Sequence, residues 1–93
     1  MNTETNFFQN QNTDANSTSY LWLYNTMNII IEGTWDSASI ILQVKYATEW
    51  IDFLTFTQNG FAIIDNLLPG VYIRFQLVDA GASTDLTCNV IKK

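Results

Sequence analysis

The chain has no histidine, one cysteine, one proline and four glycines among its 93 residues. Each shortage excludes something. Without histidine the commonest general base is gone, and with it the usual Ser-His and Cys-His nucleophile pairs. A lone Cys88 makes no internal disulfide, and no Cys/His cluster is present to hold zinc. Cys88 therefore reads as a small buried apolar residue. No glycine-rich phosphate loop appears. Cations are scarce too: Lys45, Arg74, Lys92 and Lys93 stand against nine acidic residues, for a net charge of −5. Without a basic face to neutralise phosphates, nucleic acid is not an expected partner, and neither is an anionic membrane surface. Apolar stretches such as those around Ile29–Ile31 and Ile40–Val44 are far too short to span a bilayer. No basic segment followed by an apolar run is seen near Met1, so no secretory leader is expected.

What is present is apolar and aromatic: 47% and 14% of the residues. That is enough for a core, with aromatics left over for an interface. It is unevenly spread. Residues 1–19 are mostly Asn, Gln, Ser and Thr without a period, a composition that buries too little apolar area to offset the entropy of ordering it. They read as a flexible arm, and residues 20–93 as the folded domain. Inside the arm, Phe7 and Phe8 sit side by side.

From Tyr20 onward the chain breaks into short runs of Ile, Val, Phe, Tyr, Trp and Thr, residues that fit a pleated, half-buried surface. Strands are expected at Leu21–Tyr24, Met27–Glu32, Ser39–Tyr46, Ile51–Thr57, Phe61–Asn66, Val71–Val78 and Leu86–Ile91. Turn signals separate them at Glu32-Gly33 with Asp36-Ser37, at Asn59-Gly60, Pro69-Gly70 and Ala80-Gly81. Asn59-Gly60 is the strongest hairpin signal, because both central positions of a type I′ turn need positive φ. Pro69-Gly70 suits a tight turn. Alternation assigns faces: Ile40, Leu42, Val44 and Tyr46 against Ile41, Gln43 and Lys45; Val71, Ile73, Phe75 and Leu77 against Tyr72, Arg74, Gln76 and Val78; Leu86, Cys88 and Val90 against Thr87, Asn89 and Ile91. No helical period competes. The fold class is all-β, a small antiparallel sandwich, immunoglobulin-like or jelly-roll-like, with an extended N-terminal arm.

Candidate chemistry is thin, and no catalytic, cofactor-binding or metal-binding residue is assigned. The carboxylates Asp36, Glu49, Asp52, Asp65, Asp79 and Asp85 are scattered, several beside turns where Asp caps backbone groups. The spaced oxygen ligands of a calcium loop are missing. Asn16-Ser17-Thr18 matches the glycosylation acceptor pattern by chance in an Asn/Ser/Thr-rich stretch, and Lys92-Lys93 reads as a solvated terminus. The aromatics Tyr20, Trp22, Tyr24, Trp35, Tyr46, Trp50 and Tyr72 are either core and interface residues or a sugar-stacking platform, the first being the simpler use of their area.

One stretch carries a resemblance. Gly33 with Trp35, then Leu42-Gln43-Val44, Trp50 with Asp52, Leu68-Pro69-Gly70 and Val71-Tyr72-Ile73-Arg74 follow one another between Gly33 and Thr84, somewhat over half of the chain. In that order they resemble the small β-sandwich of tailed-bacteriophage capsid decoration (cement) proteins, which also recurs as modules of other virion proteins. The segment Lys45-Tyr46-Ala47-Thr48-Glu49 departs from that pattern, which often has a Gly-rich hairpin there. The resemblance implies a structural virion protein and not an enzyme. It would be made in the host cytoplasm and held on the outer capsid surface, with the major capsid protein and copies of itself, as a trimer, for partners. In that reading Phe7, Phe8, Tyr20 and Trp22 bind the capsid or another partner, the two phenylalanines anchoring an arm that orders on the shell. The alternatives are a frayed terminus whose phenylalanines tuck against their own domain, and a receptor- or glycan-binding module of a tail or fibre.

Overall fold

The computed structural model describes residues 3–23, 26–65 and 70–92. Among the described residues nine strands run in chain order: β1 Thr3–Gln11, β2 Ala15–Asn16, β3 Tyr20–Trp22, β4 Met27–Thr34, β5 Ser39–Tyr46, β6 Glu49–Phe56, β7 Gly60–Ile64, β8 Val71–Val78 and β9 Asp85–Lys92. They form two antiparallel sheets packed face to face. The first has the order β1-β9-β4-β7; the second has β2-β8-β5-β6, with β3 also paired to β8. The protein is a small β-sandwich. The chain changes sheet at every connection except β2–β3 and β5–β6.

Period-two alternation sets the core. Ile40 and Leu42 on β5, Ile73, Phe75 and Leu77 on β8, and Leu86, Cys88 and Val90 on β9 are all fully buried. Across the sandwich the β5 and β8 residues meet those of β9 and, beside them in the same sheet, Met27, Ile29 and Ile31 of β4. Burial pushes the Cys88 thiol far above its usual range, since a thiolate has no stabilising partner in an apolar interior.

The arm is not an arm. Thr3–Gln11 is an edge strand, paired antiparallel with β9 from Thr3↔Lys92 to Gln11↔Leu86. Ser17 continues the attachment to the other sheet: its N–H donates to the Phe75 carbonyl at 2.8 Å, and its Oγ accepts from the Phe75 N–H at 2.8 Å. An edge strand needs apolar residues on one face only. Its outward face belongs to water, which is why a polar composition is no obstacle to order here. The expected boundary between residues 19 and 20 therefore separates no arm from a domain.

Asn59-Gly60 is corrected as well. The strands that flank it, β6 and β7, lie in different sheets, so the dipeptide makes a crossover and not a hairpin. The Asn59 side chain is committed elsewhere: its Oδ1 accepts from the Gly33 N–H at 3.0 Å and from Trp35 Nε1–H at 2.8 Å. The positive φ pair falls instead at Asp36 (46°) and Ser37 (69°), in a turn closed by Ala38 N–H to the Trp35 carbonyl at 2.9 Å. Lys45–Glu49 does form a hairpin without glycine, its turn at Ala47-Thr48, with Ala47 at φ 58°. Of the expected strand ends and turns, Tyr24, Asn66, Leu68 and Pro69 lie outside the described residues. Gly70 is described. It has φ 90° and donates its N–H to the Trp22 carbonyl at 2.6 Å.

Gly33 is the most constrained glycine. Its φ is 138°, and a Cβ there would run into the backbone carbonyl oxygen of Asp85 on the neighbouring strand. Because the obstacle is backbone, it has no rotamer by which to yield. Gly33→Ala is expected to lower stability by about 2–3 kcal/mol, read as a fall in the midpoint of urea unfolding; an unchanged midpoint contradicts this.

Candidate binding surfaces

The four residues singled out for partner binding divide three to one. Phe7 and Phe8 are buried, 9% and 4% exposed, and Trp22 is 2% exposed. These three belong to the core, which corrects their assignment as contacts for a partner. Two neighbours in a strand ordinarily face opposite sides. Here the register slips between Asn6↔Asn89 and Phe8↔Cys88, so β1 carries one residue more than β9 at that point. This bulge turns both rings inward. A second slip, between Phe8 and Gln11 with Asn10 at φ 52°, restores the edge. Phe7 then reaches across to the other sheet. Its ring makes edge-on contacts with Phe75 (4.8 Å between centroids) and Tyr20 (4.9 Å), a geometry that adds about 0.5–1.5 kcal/mol to simple burial.

Tyr20 is the exception. It is 37% exposed and stands at the edge of a patch built by β3 and β8. Leu21 pairs with Tyr72 across the strands, both about half exposed, and Leu23 beyond them is more exposed still. A second apolar surface lies along the opposite flank. There Ile30 of β4 pairs with Phe61 of β7; these two, Ile63, and Ile51, Phe53 and Leu54 of β6 are all exposed. Phe61 is the extreme, at 74%. It stands beside a groove of about 310 Å³ that Ile30, Glu32 and Asn59 also line. β7 presents only Gly60, Ala62 and Ile64 inward, and with Ile64 the one large side chain among them the inner side of β6 stays partly uncovered. The sequence placed Phe61 and Ile63 in a strand without singling them out. The signal was there in Phe61-Ala62-Ile63-Ile64, an apolar run too continuous for a strand with one wet face.

The outer face of the second sheet is polar and tightly paired. Gln43, only 6% exposed, accepts from Arg74 Nε–H at 2.7 Å and donates to Asp52 at 2.8 Å and Gln76 at 3.3 Å. The Arg74 guanidinium lies over the Trp50 ring, 4.3 Å from its centroid. A sugar that stacked on this face of Trp50 would have to displace a cation–π contact. Trp35 is bound to Asn59 and Trp22 is in the core, so each tryptophan of the proposed sugar platform is already engaged. Tyr46 and Tyr72 stay exposed; Tyr24 lies outside the described residues.

The carboxylates work locally. Asp36 accepts from the Ser83 N–H at 2.8 Å, and Asp14 accepts from the N–H groups of Ala80 (2.8 Å) and Asp79 (3.3 Å). Among the described residues, no group of three or more His, Cys, Asp or Glu side chains is placed to hold a metal ion.

Two expectations follow. Phe7→Ala removes a ring that bridges both sheets and should cost about 3–5 kcal/mol of stability, seen as a large drop in Tm by circular dichroism; a variant as stable as the parent would return Phe7 to the surface. Cys88 should resist a thiol reagent at pH 8 in the native protein and react at once in denaturant, and fast native labelling would contradict its burial.

No protein-family profile, no curated protein and no solved structure matches this chain.

Proposed function

We propose that this protein is a structural component of a virion that attaches to the outside of a bacteriophage capsid and stabilises it. The support is the ordered set of residues from Gly33 to Arg74 that resembles decoration proteins. The observation that carries the attachment is the exposed patch of Tyr20, Leu21, Leu23 and Tyr72 on β3 and β8. Apolar side chains gathered at one place on a small acidic domain are best used against another protein. Attachment then rests on the preformed β3–β8 surface and needs no ordering of an arm, which removes the entropic cost of folding on binding. Repetition over a symmetric shell adds avidity. The shell surface opposite this patch would be the major capsid protein's.

A receptor- or glycan-binding module of a tail or fibre is the second reading, favoured by the exposed rings of Tyr46 and Tyr72.

The protein should co-purify with assembled phage particles through a density gradient. Leu21→Ser with Tyr72→Ser should lower its occupancy in a sedimentation assay about tenfold or more, since each lost apolar contact is worth roughly 1.5 kcal/mol, while Tm hardly moves. Absence from purified particles, or equal occupancy of parent and variant, counts against the reading. Retention on a glycan array without capsid binding selects the second.

A further inference from the structure

We infer that the β7 edge pairs with β7 of a second copy, joining two first sheets into one continuous eight-stranded sheet about a two-fold axis. This goes beyond the capsid reading and does not depend on it.

A free strand edge invites pairing, and proteins block it with charge, proline, bulges or extreme shortness. Three of the four sandwich edges here are blocked. β1 has two register slips. β6 has one, between Leu42 and Gln43 of its partner, and carries Glu49 and Asp52. β2 and β3 are two and three residues long. β7 has none of these devices. Its sequence is Gly60-Phe61-Ala62-Ile63-Ile64, without charge or proline, and its pairing with β4 runs from Met27↔Ile64 to Ile31↔Gly60 without a slip.

The strand is also self-complementary. An antiparallel two-fold centred on Ala62 pairs all five residues. It sets Phe61 against Ile63 of the other copy, twice, on one face, with Ile30 of each copy flanking them. Just beyond the pair, Asn59 falls opposite Asp65, so no two carboxylates meet. Such an interface is isologous and closes at two copies, as most oligomers do. In the second layer the same axis brings Ile51, Phe53 and Leu54 of the two copies to one seam.

The area sets the strength. At about 200 Å² for a fully exposed large apolar side chain, complete coverage of Ile30, Phe61, Ile63, Ile51, Phe53 and Leu54 would remove at most about 600 Å² per copy. That is about 1,200 Å² for the pair, the lower end of specific interfaces, so the dimer should be reversible and concentration-dependent. Each copy carries a net charge of −5, so added salt should screen the repulsion and strengthen the pair.

The test is sedimentation equilibrium on the isolated protein over a wide concentration range. The expected result is a monomer–dimer equilibrium that shifts toward dimer in salt. Ile63→Lys should raise the dissociation constant at least tenfold, and Leu21→Ser with Tyr72→Ser should leave it unchanged. Hydrogen exchange on the parent protein gives a check that needs no variant: the β7 amides should become more protected as concentration rises. A monomer at every concentration, a trimer, a dimer indifferent to Ile63→Lys, or β7 amides whose protection ignores concentration would overturn the inference. Capsid binding plays no part in these measurements, so a failure here leaves the virion reading standing, and the reverse.

Discussion

Two stacked sheets must close along both flanks, and on one flank the closure rests on a single ring. Phe7 comes from the first sheet and lies edge-on against Phe75 and Tyr20 of the second. It reaches them because the β1 ladder slips by one residue beside it, so that Phe7 and Phe8 turn the same way. Phe8 then covers its own sheet while Phe7 crosses to the other. The bulge thus makes the Phe-Phe pair possible, and the pair holds a mostly polar strand in place against the entropy of its release. The opposite flank has no comparable clasp. β7 offers a single large side chain inward, Ile64, β6 is left partly bare, and that is where large apolar side chains meet water. The asymmetry of the two flanks gives the molecule a finished side and an unfinished one.

Much of the fold was legible because alternation is a local property. The alternating faces of β5, β8 and β9 follow from the sequence, except that Tyr46, grouped with Ile40 and Leu42, is exposed at the end of β5, and each strand from β4 onward is located to within a few positions. Partners are not local. Nothing in Asn59-Gly60 says that β6 and β7 belong to different sheets; that follows from β7 finding β4, some thirty residues earlier. The same reasoning explains β1. Low hydrophobicity argues for disorder only if the segment must bury itself, whereas an edge strand borrows its core from β9 and supplies two rings. Trp22, a partner contact in the decoration-protein reading, alternates with Leu21 and so turns inward on the same face as Tyr20. Of the candidate contact residues, Tyr20 alone kept an exposed face. The flank residues Phe61 and Ile63 were visible as a strand but not as a surface, since a strand's sequence does not tell how much its neighbour in the other layer covers.

The polar residues have a division of labour. Asp14, Asp36 and Asn59 satisfy backbone N–H groups where the chain passes between sheets, and Ser17 does so for Phe75 within the second sheet. A fold that crosses so often needs many such substitutes, because each crossing takes backbone groups out of a ladder. Gln43, Arg74, Asp52 and Gln76 instead knit the outer face of the second sheet, with Trp50 beneath the guanidinium. That face is ordered and saturated. Contacts with other macromolecules are left to the apolar regions at the margins, where no internal partner competes for the side chains.

The position of β9 bears on how the protein is made. It lies between β1 and β4 and is hydrogen-bonded to both. During synthesis β1 emerges before the other eight strands, yet β9, its ladder partner among the described residues, is produced more than seventy residues later. Until then its two phenylalanines have no sheet to join, β4 lacks one neighbour, and most of the first sheet cannot assemble. The first sheet is therefore completed only once β9 has appeared, and until then the nascent chain carries an exposed Phe-Phe pair and a β4 paired on one side only, with β7.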